Sequence, residues 1–489
     1  MKESKVVFVS VNNHSRLCEA AKVIATGLLV GVAIPAVAEQ ADPFSTQGLT
    51  ASSVAGSIHR PLLVIPCENV QFSKTPLSLT DVVERALCNN PQTREAWANA
   101  RVQAAQVGVG KSAYLPSISI AGAVSRNRTG GSNSFTPRTA TYDQKNVSAS
   151  LNYLLYDFGA RAATLENARQ VLTALNSTQD ATIQSVFLFA VQAYYQLFAT
   201  QAAVASVKKA EKSALESLNA ATARYNVGRG TPADKLQAQT AYSQAVLNRI
   251  QAEGDARNAQ GVLANSMGMD ANRTFALTPP SLQVADAQFE QDIAGLIEEA
   301  RSLRPDLAAA KAQVNAAKAT AEAAKSAGMP TISLSSNLLH SESSIFTTAN
   351  NAALGVSLNY PLFTGYNITY RIRAAEAQIE TRLAQQEKIS QQVALDVWKA
   401  YQGVVTGTQA VKSSIVLVSS AIQSERVALG RYKAGVGNIL DLLIVQTSLA
   451  SARLQNIQAV YNWHIAKAAL AQAMGKLDFS AIAPEKTSP

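Results

Sequence analysis

A string of residues returns at a fixed distance along this chain, and no other feature narrows the fold as much. Tyr225-Asn226-Val227-Gly228 recurs as Tyr432-Lys433-Ala434-Gly435, Asp234 as Asp441, Gln239 as Gln446 and Met267-Gly268 as Met474-Gly475, all at an offset of 207. Leu151-Asn152-Tyr153 recurs as Leu358-Asn359-Tyr360 at the same spacing. Upstream the offset is 214: Pro91 matches Pro305, and Leu115-Pro116-Ser117-Ile118-Ser119 matches Met329-Pro330-Thr331-Ile332-Ser333. Chance does not hold such a register, so the chain is a tandem duplication whose first copy carries seven extra residues between Pro116 and Leu151. A length of 489 residues would allow several unrelated domains. The repeat replaces them with one architecture built twice, over residues 77–282 and 283–477.

Each copy reads helix, strand, polar loop, strand, very long helix, short break, helix. The strands are expected at about 114–126 and 143–156 in the first copy, and at about 329–339 and 352–363 in the second. Ala149, Leu151, Tyr153 and Leu155 alternate with Ser148, Ser150 and Asn152, and Leu354, Val356, Leu358 and Tyr360 alternate with Gly355, Ser357 and Asn359. One face is apolar and the other small and polar. The connections 127–142 and 340–351 are rich in Gly, Ser, Thr and Asn, whereas Tyr114, Tyr156, Phe158, Phe363 and Tyr366 gather at the opposite ends. That is the placement of an aromatic belt at a bilayer surface. The other reading is a soluble sheet packed on one side. Against it, the polar faces carry almost no charge and the flanking helices keep no wide apolar stripe to cover a sheet.

The long helices are expected over residues 160–226 and 369–434, with no internal proline. At about 1.5 Å per residue, such a helix reaches close to 100 Å. Its apolar positions form narrow series, such as Val186, Ala190, Ala193 and Leu197, among abundant Ala, Gln and Ser. Narrow seams suit coiled-coil-like packing among several helices, and one pair buries too little. Four strands cannot enclose an interior, and hydrocarbon tolerates no open sheet edge. Two protomers would supply eight strands around a filled core; three would supply twelve around a lumen that the polar faces could line. Assembly into a conduit follows.

Lys22 precedes an apolar run over 23–37 that ends in Ala36-Val37-Ala38, the small-x-small pattern of a secretory signal cut after Ala38. A retained membrane anchor is the competing reading, but the run is short for a span and contains Gly27, Gly31 and Pro35. Losing Lys2, Lys5, Arg16 and Lys22 with Glu3 and Glu19 lowers the net charge from +9 to +7. Cys18 leaves as well, so Cys67 and Cys88 remain. In an exported chain this pair suggests one disulfide tying the irregular segment 39–76 to the first helix; two free buried thiols are the alternative. The tail 478–489 reads as disordered.

The duplicated plan, Leu79-Thr80 through Ala86-Leu87 followed by Asn90-Pro91, Tyr114-Leu115-Pro116, Leu155-Tyr156-Asp157-Phe158-Gly159, Pro361-Leu362-Phe363-Thr364-Gly365 and Tyr432 through Gly435 to Asp441 resemble the TolC-like outer-membrane efflux proteins, over about 76–477. The resemblance implies a mainly α chain with a membrane β-barrel portion. It further implies a homotrimer whose twelve-stranded barrel, four strands per protomer, continues into a twelve-helix periplasmic tunnel. Such ducts serve an inner-membrane transporter, of the ABC or proton-driven kind, through a periplasmic adaptor, and export drugs, toxins or polypeptides.

Both long helices stop at glycine, Gly228 and Gly435, and restart at Thr231-Pro232-Ala233-Asp234 and Asn438-Ile439-Leu440-Asp441. Asp234 reads first as a capping carboxylate. Asp441 also matches the family's constriction aspartate, and three copies near an axis would form a cation-attracting ring. Tyr432 and Arg431 are candidate latch residues beside it. The family's second ring acid is Ile444 here and its gate arginine position is Gly437, which implies a weaker ring and a lighter latch.

No enzyme site emerges. Gly110-Lys111-Ser112 ends like a phosphate loop, but position 105 is Ala105 and the segment leaves a helix rather than entering one. His14, His59, His340 and His464 form no ligand spacing. The 43 basic and 34 acidic residues are scattered, without a nucleic-acid stripe. No cofactor or metal is expected. The main rival from another class is a periplasmic or extracellular coiled-coil scaffold with a soluble sheet.

Overall fold

A computed structural model describes residues 42–57, 67, 76–133, 136–280 and 292–479. The expected signal peptide with Cys18 and His14, His59, and all but the first two residues of the expected tail lie outside these residues. In chain order, α1 (Leu79–Asn89), α2 (Pro91–Ser112), β1 (Ser117–Asn133), β2 (Thr136–Tyr156), α3 (Ala160–Asn226) and α4 (Pro232–Ser266) form the first copy. The second copy is α5 (Ile293–Leu303), α6 (Pro305–Ser326), β3 (Thr331–Ser343), β4 (Ala349–Asn359), α7 (Asn367–Ala434) and α8 (Ile439–Ala473). No helix among the described residues is long and apolar enough to cross a membrane.

Two features differ from the sequence expectation. The single helix expected ahead of each strand pair is two, broken at Asn90 (ψ 130°) and Arg304 (ψ 124°). Each precedes a proline, whose ring pushes the preceding residue out of the helical region, while proline itself suits the first position of the next helix. The strands also run through much of what reads as loop: β1 and β2 stay paired to Asn133 and Thr136, and β3 and β4 to Ser341 and Ala349. Backbone pairing needs no apolar side chains, so a ladder continues through polar residues once its register is set.

The described chain divides into two compact units, one from residues 42–49, 102–172 and 313–382, the other from the remainder. The first holds a four-stranded antiparallel sheet in the order β1-β2-β3-β4, which leaves β1 and β4 as unpaired edges. Its helical stretches pack through Ala104, Val107, Leu165 and Leu172. The entry into α3 explains the Leu155-Tyr156-Asp157-Phe158-Gly159 motif. Phe158 (φ 50°) and Gly159 (φ 95°) turn the chain sharply. Asp157 accepts from the Arg161 backbone N at 2.9 Å and pairs with its guanidinium at 3.0 Å, while that guanidinium also donates to the Leu154 carbonyl at 2.7 Å.

The second unit contains the main core, where Val82, Ala86 and Leu87 of α1 pack against Phe187, Val191 and Tyr194 of α3 and Leu263 of α4. The α1/α2 and α5/α6 breaks are tied down alike. Asn90 donates to the Ser266 carbonyl at the end of α4, and Arg304 donates to the Ala473 carbonyl at the end of α8. Arg304 adds ion pairs to Asp306 (2.6 Å) and Asp396 (3.0 Å). The irregular N-terminal segment is held in this unit by Trp97 Nε1 donating to the Ala51 carbonyl, Gln179 donating to the Gly56 carbonyl, and a disulfide between Cys67 and Cys88. Closing a loop of 21 residues removes unfolded-chain entropy, worth about 3 kcal/mol.

His464 of α8 stacks on Tyr195 of α3 at 5.1 Å and meets the Trp463 ring edge-on at 4.9 Å. Its Nε2 is buried without a partner. Burial first, then the Lys467 charge, pushes its pKa down to about 4 from 6.5. The unfolded chain therefore binds a proton through this window that the native state refuses, so stability falls as pH drops from 6.5 towards 4. The wild-type Tm is expected to fall more steeply over that range than that of His464→Gln; parallel profiles would refute the assignment.

Candidate functional site: a two-faced sheet and paired hairpin tips

Strand register sorts the sheet side chains into two faces. Ile118 lies opposite Leu151, Ile120 opposite Ala149, Ala149 opposite Leu338, Tyr153 opposite Leu334, and Leu334 opposite Val356. Every one of these points the same way, and the face is bare: Ile120 is 72% exposed and Leu354 76%. A soluble monomer does not expose so continuous an apolar surface. Towards the strand tips this face turns charged, with Arg126 paired to Asp143 at 3.4 Å and Lys145 opposite Glu342. At the other end stand Tyr156 and Phe158 in edge contact, and Phe363 against Tyr366. From Lys145 to Tyr156 is about eleven residues, or about 36 Å of strand, which at a tilt of about 45° rises about 25 Å, the apolar height of an outer-membrane barrel. The opposite face carries Ser119 hydrogen-bonded to Ser150 at 2.7 Å, and Gln144 reaching Asn127, Asn146 and Ser341.

The candidate gate lies where the helices double back, wholly within the second unit. Gly435 ends α7 with φ +85°, a left-handed cap that gathers the Tyr432 and Arg431 carbonyls onto Gly435 N and Val436 N. Gly228 ends α3 in the same way, at φ +73°. The two aspartates then diverge. Asp234 is consumed by a capping box, its carboxylate accepting from Thr231 N at 3.0 Å while Thr231 Oγ1 accepts from Asp234 N. At the second tip the cap is Asn438, whose side chain accepts from Leu440 N at 3.1 Å. Asp441, at the equivalent position of α8, makes no side-chain hydrogen bond or ion pair among the described residues and is exposed.

Tyr432 is buried against Ala221, Ala238, Ile439 and Leu442. Its neighbour Arg431, the other latch candidate, is exposed, and no side-chain contact joins it to Tyr432. The residue brought to Tyr432 is Arg224 of the first hairpin. Its Nη2 donates to the Tyr432 carbonyl at 2.5 Å and its guanidinium lies 4.3 Å from the ring centre. Burial pushes the Tyr432 hydroxyl pKa up, Arg224 pulls against that, and Asp234 adds to it. Gly437 cannot supply the arginine, because a Cβ there would stand 2.9 Å from Tyr432 N and 3.0 Å from the Arg431 carbonyl carbon. A second link joins the hairpins where Ser217 donates to Gln446 at 3.1 Å. Between them remains a cavity of about 260 Å³ bordered by Glu216, Arg224, Glu425 and Lys433. The hairpins therefore meet through a small apolar cluster and a few polar bonds, an arrangement that separates at modest cost.

Sequence reasoning missed Arg224 although a signal was present. Arg224-Tyr225 and Arg431-Tyr432 are the same dipeptide in the two copies, and Arg224 is the one that reaches the tyrosine of the other hairpin. Elsewhere, the Lys111 ammonium donates to the Phe44 carbonyl at 3.1 Å and Ser112 to the Val109 carbonyl at 2.8 Å, contacts of a helix end. No group of three or more potential metal ligands occurs among the described residues.

The pattern of the family described as "Outer membrane efflux protein" matches residues 82–269 and 296–476, one stretch in each copy. Protein CyaE of Bordetella pertussis is 28% identical over 86% of this chain and 89% of its own length. The outer membrane efflux protein BepC of Brucella suis is 26% identical over 82% and 86%. The CmeC outer membrane channel of Campylobacter jejuni shares the fold, with a TM-score of 0.72 at 18% identity over 87% of this chain and 95% of that one.

Proposed function

The chain belongs to the outer membrane efflux protein family, and we propose that it works as a homotrimeric exit duct whose periplasmic entrance is held by Arg224 and Tyr432 and screened by Asp441. As a member it sits in the outer membrane and conducts outward through a periplasmic tunnel. The observation that carries the trimer is the sheet: four strands with both edges open and a bare apolar face have to be completed by further copies, and three give twelve strands with an accessible bore. The partners that follow are a periplasmic adaptor and an inner-membrane transporter, ABC or proton-driven, with lipid around the barrel. No catalytic step is assigned to the duct, so transport energy enters through the transporter. The coiled-coil scaffold reading gives no reason for the apolar face.

Asp441 supports a cation-sensitive constriction because its carboxylate, unlike that of Asp234, is not used in capping. Three such groups about one axis would raise one another's pKa and draw in cations. Channels of the purified protein in planar bilayers are expected to be blocked by divalent cations, and Asp441→Asn to lose that block while keeping its conductance. Retained block, or no channels from the wild type, would refute the reading.

A further inference from the structure

We propose that the barrel bore is blind to charge, so that whatever selection by charge this duct makes is made at its helical entrance and not in its membrane wall. The proposal rests on the sheet being part of a closed barrel with its apolar face in lipid. Over Ser117 to Thr129 and Ala140 to Leu154, and through β3 and β4, the face opposite the apolar one carries no carboxylate, ammonium, guanidinium or imidazole group among the described residues. It is built of Ser119, Ser150, Asn337 and Ala353 across one row, and Ser125, Gln144 and Ser343 across another.

The strands are not poor in charge. Arg126, Arg128, Asp143, Lys145 and Glu342 all lie within them, and by register every one falls on the lipid-side face, in the band beyond Val124 and Val147. Over these stretches charge is therefore absent from the bore-side face in particular, not from the sheet as a whole. The bore groups bond to one another, as in Ser119 with Ser150 and Gln144 with Ser341, which leaves hydroxyl and amide dipoles that turn to meet either sign. A wall of this kind presents no fixed potential to a passing solute, in contrast to pores ringed by carboxylates or guanidinium groups. The solutes it suits are polar molecules or extended chains of either charge.

The test is local, because the tunnel and tips carry charges of their own. Ser150→Cys places a thiol in the bore, and the disulfide between Cys67 and Cys88 leaves no competing thiol among the described residues. Outer-membrane vesicles are treated with cationic and with anionic methanethiosulfonate reagents, and the ratio of the two rates is compared with that for a free small thiol. Agreement within about threefold is expected, and a larger preference of either sign overturns the proposal. Adding Asn337→Asp on β3, directly opposite position 150, should then favour the cationic reagent; no change would overturn the premise that wall charge governs entry. Ile120→Cys, on the other face, should react with neither reagent. If Ile120→Cys reacts and Ser150→Cys does not, the barrel reading fails; if Ser150→Cys reacts with a strong charge preference, only the charge-blind bore fails.

Discussion

Replacing Leu354 with arginine is expected to remove the protein from the outer membrane as an assembled species. Leu354 lies on the edge strand β4, 76% exposed on the apolar face and opposite Ser336, between the aromatic end of the sheet and its charged band. An arginine near the middle of the hydrocarbon costs about 2–4 kcal/mol, and three copies in one barrel bring roughly 6–12 kcal/mol against assembly. That is comparable to the whole stability of a small domain. Unheated electrophoresis of detergent extracts is the measurement: the wild type should migrate as a trimer and Leu354→Arg should not. The neighbouring Ala353→Arg is the control, since strand side chains alternate and this one faces the bore. It should assemble normally and reduce single-channel conductance. Equal assembly of Leu354→Arg and wild type would mean that this face does not meet lipid.

Substituting Arg224 by alanine is expected to open the duct. The side chain makes a charge-assisted hydrogen bond to the Tyr432 carbonyl and covers the Tyr432 ring, joining hairpins that otherwise share a small core. Such a bond and cation–π contact, discounted because Arg224 is half-exposed, amount to about 1–2 kcal/mol per protomer. With three hairpin pairs opening together, the closed state loses about 3–6 kcal/mol, and the open fraction in planar bilayers should rise at least about tenfold. Arg224→Lys should fall between, since an ammonium keeps the charge but not the planar guanidinium. Arg431→Ala should behave as wild type, because no contact ties its side chain to Tyr432. Opening by Arg431→Ala with no effect of Arg224→Ala would reverse the assignment.

The gate shows where reading the chain alone stops. The glycines at 228 and 435, the restart residues and both aspartates stand in the sequence because capping is local chemistry, decided within four or five residues. The same locality hid the difference between the aspartates. Thr231 at one cap makes a reciprocal box with Asp234, while Asn438 at the other bonds to Leu440 N and leaves Asp441 unengaged. Arg224 and Arg431 are alike in sequence, and only the packing of one hairpin on the other selects which guanidinium covers Tyr432.

The sheet divides in the same manner. Alternation of apolar and polar residues gave each strand two faces, and the count of four strands required more than one copy. Where the strands end was not legible: Asn127, Tyr142 and His340 read as loop, yet they pair in the ladder because backbone bonding is indifferent to side-chain polarity. The near-absence of charge from the polar face was already legible in the alternation, and register adds that Arg126, Lys145 and Glu342, which stand beside bore residues in sequence, line up together on the opposite face.

The sequence alone thus determined the repeat, the element types, the breaks at glycine, and the need for assembly, because these depend on short-range periodicity, backbone sterics and the cost of unpaired edges. Tertiary structure decided which equivalent residue of each copy does the work. Two copies of one pattern become different only when they pack against each other.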